Sequence, residues 1–238
     1  MARKTSAAKS SPKLALVTGA SRGLGLAMAR ELATRGYQMI LSGRDERALA
    51  KAAASIPGAE SVACDIRDPE AVPQLARAVG RRRLSVLINN AGMAGPSKPV
   101  AELDFATWRE VIDTNLHGTF LVTQALLPKL GKGSVVLNNL SIAARAIFPG
   151  TSAYSASKRG LAAFTDVLRE ELRPKGIRVV AMLPGAVDTG IWQQFWPTAN
   201  RRRMMRPETI ARLVAEAVTL PEDSCLEEFV IRPTAGSL

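Results

Sequence analysis

From Leu14 onward, short apolar runs alternate with amphipathic stretches whose apolar residues recur at helical spacing. The runs LALVT from 14, QMILS from 38, SVAC from 61, VLIN from 86, SVVLN from 134, RVVAML from 178 and EFVI from 228 predict seven strands. The amphipathic stretches predict helices near 24–35, 46–54, 69–79, 105–128, 153–173 and 208–219. Strands separated by helices form βαβ units, so the chain is predicted to be α/β, with one seven-stranded, doubly wound parallel sheet flanked by helices. No repeat or interdomain linker interrupts it, which gives one domain over 13–238. Punctuation agrees: Asp68, Pro69 and Glu70 predict an N-cap with proline in the first turn, and Pro174 with Gly176 predict a helix end.

Composition narrows the function classes. At 238 residues, 47% apolar and 22% charged, the chain has enough material for a full core and lacks an apolar run of membrane-spanning length, so no membrane partner is expected. Two cysteines, Cys64 and Cys225, are too few for a disulfide framework or a zinc site; they point to a reducing, cytoplasmic setting and no metal. The net charge of +11 raises a nucleic-acid reading. Outside residues 1–12, read as a disordered basic tail, the basic residues are dispersed apart from Arg81–Arg83 and Arg201–Arg203, so no nucleic-acid partner is expected.

The first strand runs into TGASRGLG, with glycines at 19, 23 and 25 opening directly into a helix. A glycine turn between strand and helix lets backbone amides approach a pyrophosphate, which the helix N-terminus also attracts. In the first βα unit of a doubly wound sheet this predicts a dinucleotide in a Rossmann-like crevice bordered by Gly19, Ser21, Arg22, Gly23, Leu24 and Gly25. The second strand ends in SGRDE, and Arg44 stands where the 2′-phosphate of NADP would lie, within reach of Arg22. Two guanidiniums suit a dianion, so NADP(H) is favoured over NAD(H). Asp45 reads either as a ribose ligand or as the N-cap of the next helix.

Tyr154 and Lys158 stand one helical turn apart in SAYSASK. A cation at about 4 Å in an effective dielectric near about 20 contributes about 4 kcal/mol, or about three pK units, enough to bring a phenol toward neutrality. A phenol so tuned is suited to acid–base work. Ser141 lies thirteen residues earlier, just past the fifth predicted strand, where its hydroxyl can polarise a carbonyl.

With NNAG at 89–92, Asn115 in DTNLHGTF, and PGAVDT at 184–189, these motifs resemble in order and spacing the short-chain dehydrogenase/reductase family, from Lys13 to the last strand. The resemblance implies that Tyr154 is the acid in reduction and the base in oxidation. It implies that Lys158 lowers the phenol's pKa and binds the nicotinamide ribose, that Ser141 orients the carbonyl, and that Asn115 holds a water of the proton relay. It places Asp65 and Ile66 beside adenine, and Asn90, Ala91 and Gly92 along the adenosine and ribose. Pro184, Gly185, Val187 and Thr189 follow near the carboxamide. It further implies a homotetramer or homodimer built through the helices near 105–128 and 153–173. Leu140 and Ala144 depart from frequent family residues, and the ending FVIRPTAGSL lacks the glycine pair of the fatty-acid ketoreductases in the family.

A substrate lid is expected over about 189–207, carrying Trp192, Phe195 and Trp196. These aromatics, joined by Phe148, Ile147 and Met93, read either as an apolar pocket wall or as packing within the domain. Arg201–Arg203 read either as a basic rim or as a solvated run. The expected activity is hydride exchange between NADP(H) and a ketone, aldehyde or alcohol. The alternatives are a 3-oxoacyl-carrier-protein-type reductase and a nucleotide-sensing homologue without turnover. A Ser/His hydrolase is disfavoured, because the single histidine, His117, falls within the long predicted helix and no nucleophile elbow surrounds Ser141.

Overall fold

In a computed structural model describing residues 13–236, the apolar runs become seven parallel strands. They are β1 (Leu14–Thr18), β2 (Gln38–Gly43), β3 (Glu60–Ala63), β4 (Leu84–Asn89), β5 (Val135–Asn139), β6 (Arg178–Pro184) and β7 (Glu228–Ile231). Their order is β3-β2-β1-β4-β5-β6-β7. The chain winds outward from β1 to one edge, then crosses to β4 and winds to the other, so the direction reverses between β1 and β4. In such sheets the crevice beyond the carboxyl ends of the strands at that reversal is the ligand site. The tail assigned to residues 1–12 lies outside the described residues.

Period-two alternation assigns the strand side chains to two cores. Ala15 and Val17 face one side with Met39, Ile88 and Met182, under α1 (Gly23–Thr34), α2 (Glu46–Ala54) and the C-terminal helix (Pro207–Thr219). Leu14 and Leu16 face the other with Leu87, Val136 and Val179, under α3 (Pro73–Val79) and the two long helical segments. All five residues of β1 are buried, as expected of a central strand covered on both faces.

Two of the expected helices differ from expectation, those near 69–79 and 105–128. Asp68 does not cap a helix at Pro69. Its carboxylate accepts from the Glu70 amide at 2.9 Å in a turn, and the helix begins at Pro73, whose missing N–H costs nothing in a first turn. The stretch near 105–128 is α4 (Phe105–Ile112) and α5 (Gly118–Leu126), joined by a π-helical turn over Asp113–His117. The stretch near 153–173 is α6 (Ser152–Leu172), closed by a 3-10 turn over Arg173–Lys175 before Gly176. The lid holds a short helix α7 (Trp192–Phe195) and a 3-10 turn at Arg201–Arg203, then enters α8 (Pro207–Thr219).

Candidate active site

A cleft of about 1100 Å³ runs across the carboxyl ends of the strands. At one end, Gly19 adopts φ +64, and a Cβ there would stand 2.8 Å from the Ala91 Cα; at Gly25 a Cβ would stand 2.3 Å from the Gly19 carbonyl oxygen. Only glycine permits this close approach of backbones. α1 starts with no side-chain cap and no acidic residue in its first turn, leaving its amide donors for a ligand. Thr18 braces the turn: its hydroxyl accepts from the Asn90 and Ala91 amides, both at 3.0 Å.

Ser21, Arg22, Gly23, Leu24 and Arg44 line the same end. Both guanidiniums are exposed, and neither forms a salt bridge or hydrogen bond with another described residue. Asp45 caps α2, accepting from the Ala48 amide at 2.9 Å, which settles its two readings in favour of the cap. Asp65 and Ile66 also line the cleft, but Asp65 is held by Arg67 at 2.6 Å, and the Ile66 side chain packs onto Gly118. Arg67 and the nearby positive charge of Arg44 keep the Asp65 carboxyl below its usual range.

At the other end, Ser141 leaves β5 with extended backbone and caps a 3-10 turn, its Oγ accepting from the Ala143 amide at 3.1 Å. The first turn of α6 brings Tyr154 alongside, close enough for the Ser141 hydroxyl to lower the pKa of its phenol. Lys158, one turn on, sits with its Nζ 5.8 Å from the centre of the Tyr154 ring and donates to the Asn139 carbonyl at 2.7 Å. Burial lowers the Lys158 pKa from 10.5 to about 8. Burial also pushes the Tyr154 phenol up, and the Ser141 hydroxyl pulls it partly back. In the chain alone, then, the phenol is not brought toward neutrality as the spacing led us to expect. The lysine points past the ring to a carbonyl, and desolvation exceeds its field.

The two ends are joined by a polar seam. Asn139, whose carbonyl receives Lys158, donates its side-chain amide to Asn90 Oδ1 at 2.9 Å; Asn90 in turn donates to the Thr18 carbonyl at 2.9 Å and the Gly19 carbonyl at 3.3 Å. Sequence pattern marked Asn90 but missed Asn139, since nothing at the end of a strand distinguishes an asparagine that bridges from one that faces solvent.

Of the residues expected to bind the coenzyme or act in catalysis, Asn115 alone does not line the cleft. Fully buried in the π turn, it accepts from the Met93 amide at 2.8 Å and donates to the Met93 carbonyl at 2.8 Å and to Ser157 Oγ at 2.9 Å. Ser157 donates on to the Tyr154 carbonyl at 2.7 Å. Its amide group holds the cleft wall, and its own carbonyl receives Thr119 Oγ1 at 2.9 Å. Sequence reasoning also missed Ser157, which reads as one more small residue on a helix.

Gly92, Pro184, Gly185, Val187 and Thr189 line the cleft between these ends. Phe148, Met93, Trp192 and Trp196 border it too, whereas Ile147 is 85% exposed and does not. Trp192 serves both readings of the lid aromatics: it lines the cleft while its indole N–H donates to the Val187 carbonyl at 2.8 Å. Phe195 packs its ring 6.0 Å from that of Tyr154. The arginine run is internal bracing, with Arg201 on Asp188 and Arg203 donating to the Ala235 carbonyl at 2.7 Å. His117 is exposed, bonded to Asp113 at 2.8 Å and absent from the cleft lining, so Ser141 has no histidine partner. Among the described residues, no cluster of three or more His, Cys, Asp or Glu side chains is arranged to hold a metal, and no helix is long and apolar enough to cross a membrane.

The doubly wound sheet, with a tight glycine turn at one end of its crevice and a Ser-Tyr-Lys group at the other, defines a class, that of the Rossmann-fold oxidoreductases. Within it, the chain belongs to the short chain dehydrogenase family, whose sequence profile matches residues 13–200. It is 33% identical over 237 aligned residues to sulfoacetaldehyde reductase 2 of Chromohalobacter salexigens, covering 93% of this chain and 94% of that one. Among solved structures it is similar to an alcohol dehydrogenase of the archaeon Thermococcus sibiricus complexed with 5-hydroxy-NADP: 29% identity, TM-score 0.87, 95% and 98% of the two chains. It is also similar to a 3-ketoacyl-(acyl-carrier-protein) reductase of Brucella melitensis complexed with NADH, at 26% identity, TM-score 0.86, and 94% and 98% coverage.

Proposed function

We propose that the chain is an NADP(H)-dependent reductase of ketones or aldehydes, running as an alcohol dehydrogenase in reverse. The observation that carries this is Ser141 and Tyr154 standing together, with Lys158 one turn on, in the lining of a cleft whose far end has two arginines free of salt bridges among the described residues. The cradle fits the coenzyme: the glycine turn leaves no room for a Cβ, α1 offers uncapped amides, and Arg22 with Arg44 suit a 2′-phosphate. The alcohol dehydrogenase relative complexed with 5-hydroxy-NADP supports that preference. Bound there, the nicotinamide supplies or accepts hydride at the carbonyl carbon.

The remaining steps belong to the protein. Ser141 donates a hydrogen bond to the substrate oxygen, and Tyr154 Oη passes its proton to that oxygen as negative charge develops on it. Lys158, protonated below about pH 8, would face the tyrosinate left behind and would hold the ribose hydroxyls of a bound coenzyme. Phe195, Trp192 and Phe148 keep water from the reacting atoms. With an oxidised nicotinamide bound, its positive charge and that of Lys158 would together lower the phenol from its raised value in the chain alone.

The test is a screen of ketones, aldehydes and alcohols with NADPH and NADH, followed by the near-ultraviolet absorbance of the reduced nicotinamide, with Arg44→Asp alongside the wild type. We expect turnover with NADPH over NADH, and an Arg44→Asp variant with NADPH affinity reduced about 10- to 100-fold and NADH affinity little changed. Unchanged NADPH affinity would contradict the coenzyme assignment.

A further inference from the structure

Charge in the cleft is distributed unevenly. Its carboxylates, Asp45, Asp65 and Glu110, belong to the end bordered by the glycine turn and Arg44; Asp65 and Glu110 are both paired with Arg67, at 2.6 and 3.0 Å, and Asp45 caps α2. Around Ser141 and the lid, the lining is Phe148, Trp192, Phe195, Trp196 and aliphatic, small or amide side chains, with no carboxylate among the described residues. Besides Lys158, one charged side chain lines the cleft away from the glycine-turn end: Arg232, beside Gly185.

Its position follows from the topology. β7 pairs in parallel with β6 at the sheet edge, so both strands run out toward the cleft, and the Gly185 amide donates to the Ile231 carbonyl at 2.7 Å. A Cβ on Gly185 would stand 3.4 Å from the Arg232 Cα and 3.1 Å from Pro233 Cδ, so the backbone after β7 lies directly against the cleft-lining loop after β6. Arg203 ties the following residues to the lid through the Ala235 carbonyl at 2.7 Å, which makes this segment part of the wall. Arg232 is an exposed residue of the cleft lining, and its guanidinium has no hydrogen-bond or ion-pair partner among the described residues. Other exposed arginines, Arg47, Arg77 and Arg212 among them, also lack a partner among the described residues; what sets Arg232 apart is that it lines the cleft, where an anion from outside can reach it.

We infer that Arg232 binds an anionic group of the substrate, so that the substrate class is carbonyl compounds bearing a carboxylate or sulfonate a few bonds from the reacting carbon. This rests on the reductase reading above. A planar guanidinium fits either oxyanion through two parallel N–H donors. Fixing the far end of a small aldehyde there would orient its carbonyl toward Ser141 and Tyr154 and exclude neutral analogues, which would leave the guanidinium without a partner.

The test uses the full chain and a matched pair, succinic semialdehyde and its methyl ester, with saturating NADPH so that Arg22 and Arg44 are covered. We expect wild type to favour the acid, and Arg232→Ala to lower the acid-to-ester ratio of kcat/KM about 10- to 100-fold, mainly through KM; Arg232→Lys should restore part of it. A purely structural role would lower both activities and leave the ratio. A coenzyme role would weaken NADPH binding by calorimetry. Either outcome, or an unchanged ratio, overturns the inference. A second readout needs no turnover: calorimetric titration of the NADP-saturated chain with butyrate and butyramide. We expect butyrate binding that Arg232→Ala abolishes; wild type binding neither, or both equally, overturns the inference. Butyrate binding that depends on Arg232, with no carbonyl reduced in the screen, would contradict the reductase reading instead.

Discussion

At the scale of single residues, the two groups that carry the chemistry are both disfavoured as ions by burial. Lys158 is 4% exposed, and its pKa is lowered to about 8 from 10.5. The sign of its effect on stability follows. Above about pH 8 the folded lysine is neutral while the unfolded one still binds a proton, so stability rises with pH until about pH 10.5. Tyr154 works the other way only where unfolded tyrosine ionises, above about pH 10. Between about pH 8 and about pH 10, wild type should therefore gain about 2 kcal/mol relative to Lys158→Met. Chemical unfolding of both proteins across that range checks it, and parallel curves would show that Lys158 is not desolvated in the folded chain. Local chemistry of this kind was half legible in the sequence. The Tyr154–Lys158 spacing set the two side chains on one face of a helix, but spacing carries no information about desolvation, and desolvation decides the direction of both shifts.

Among elements, the informative one is the π turn between α4 and α5. Its apolar pattern reads as one uninterrupted helix, because a single wide turn shifts the register too little to disturb the repeat over so short a stretch. Yet the turn delivers Asn115 to Met93 and Ser157, and through Ser157 to the Tyr154 carbonyl. Wide turns of this sort often mark functional positions. Replacing Asn115 with Ala removes three buried hydrogen bonds and leaves the Met93 amide and carbonyl without partners, at a cost of about 2–4 kcal/mol. The urea midpoint should fall accordingly, with an unchanged slope. A loss below about 0.5 kcal/mol would show that the amide group is not holding the wall. The strands were easier to foresee, since a buried parallel strand is a short β-branched and aliphatic run, and each of the seven lies within two residues of its expected start. The start of α3 was not, because Pro69 and Pro73 are both acceptable first-turn residues and only the Asp68 turn decides between them.

For the molecule as a whole, the sheet's reversal point sets the crevice, and the residues that border it come from separate strand ends brought together by the β3-β2-β1-β4-β5-β6-β7 order. Elsewhere, α5 and α6 present Phe120, 44% exposed, and Val167, 59% exposed, on the two helices expected to join protomers. We therefore propose self-association through this face, and expect Phe120→Glu with Val167→Glu to lower the mass seen by light scattering; a wild-type monomer at all concentrations would contradict it. The central claim concerns the cleft, where Tyr154 acts as the acid that protonates a carbonyl oxygen. Its most direct test is the rate of NADPH oxidation by the best aldehyde or ketone of the screen, comparing wild type with Tyr154→Phe while NADPH affinity is measured on both. The account predicts a rate lowered at least about 1000-fold with affinity retained; a phenylalanine variant that keeps most of the rate would contradict it.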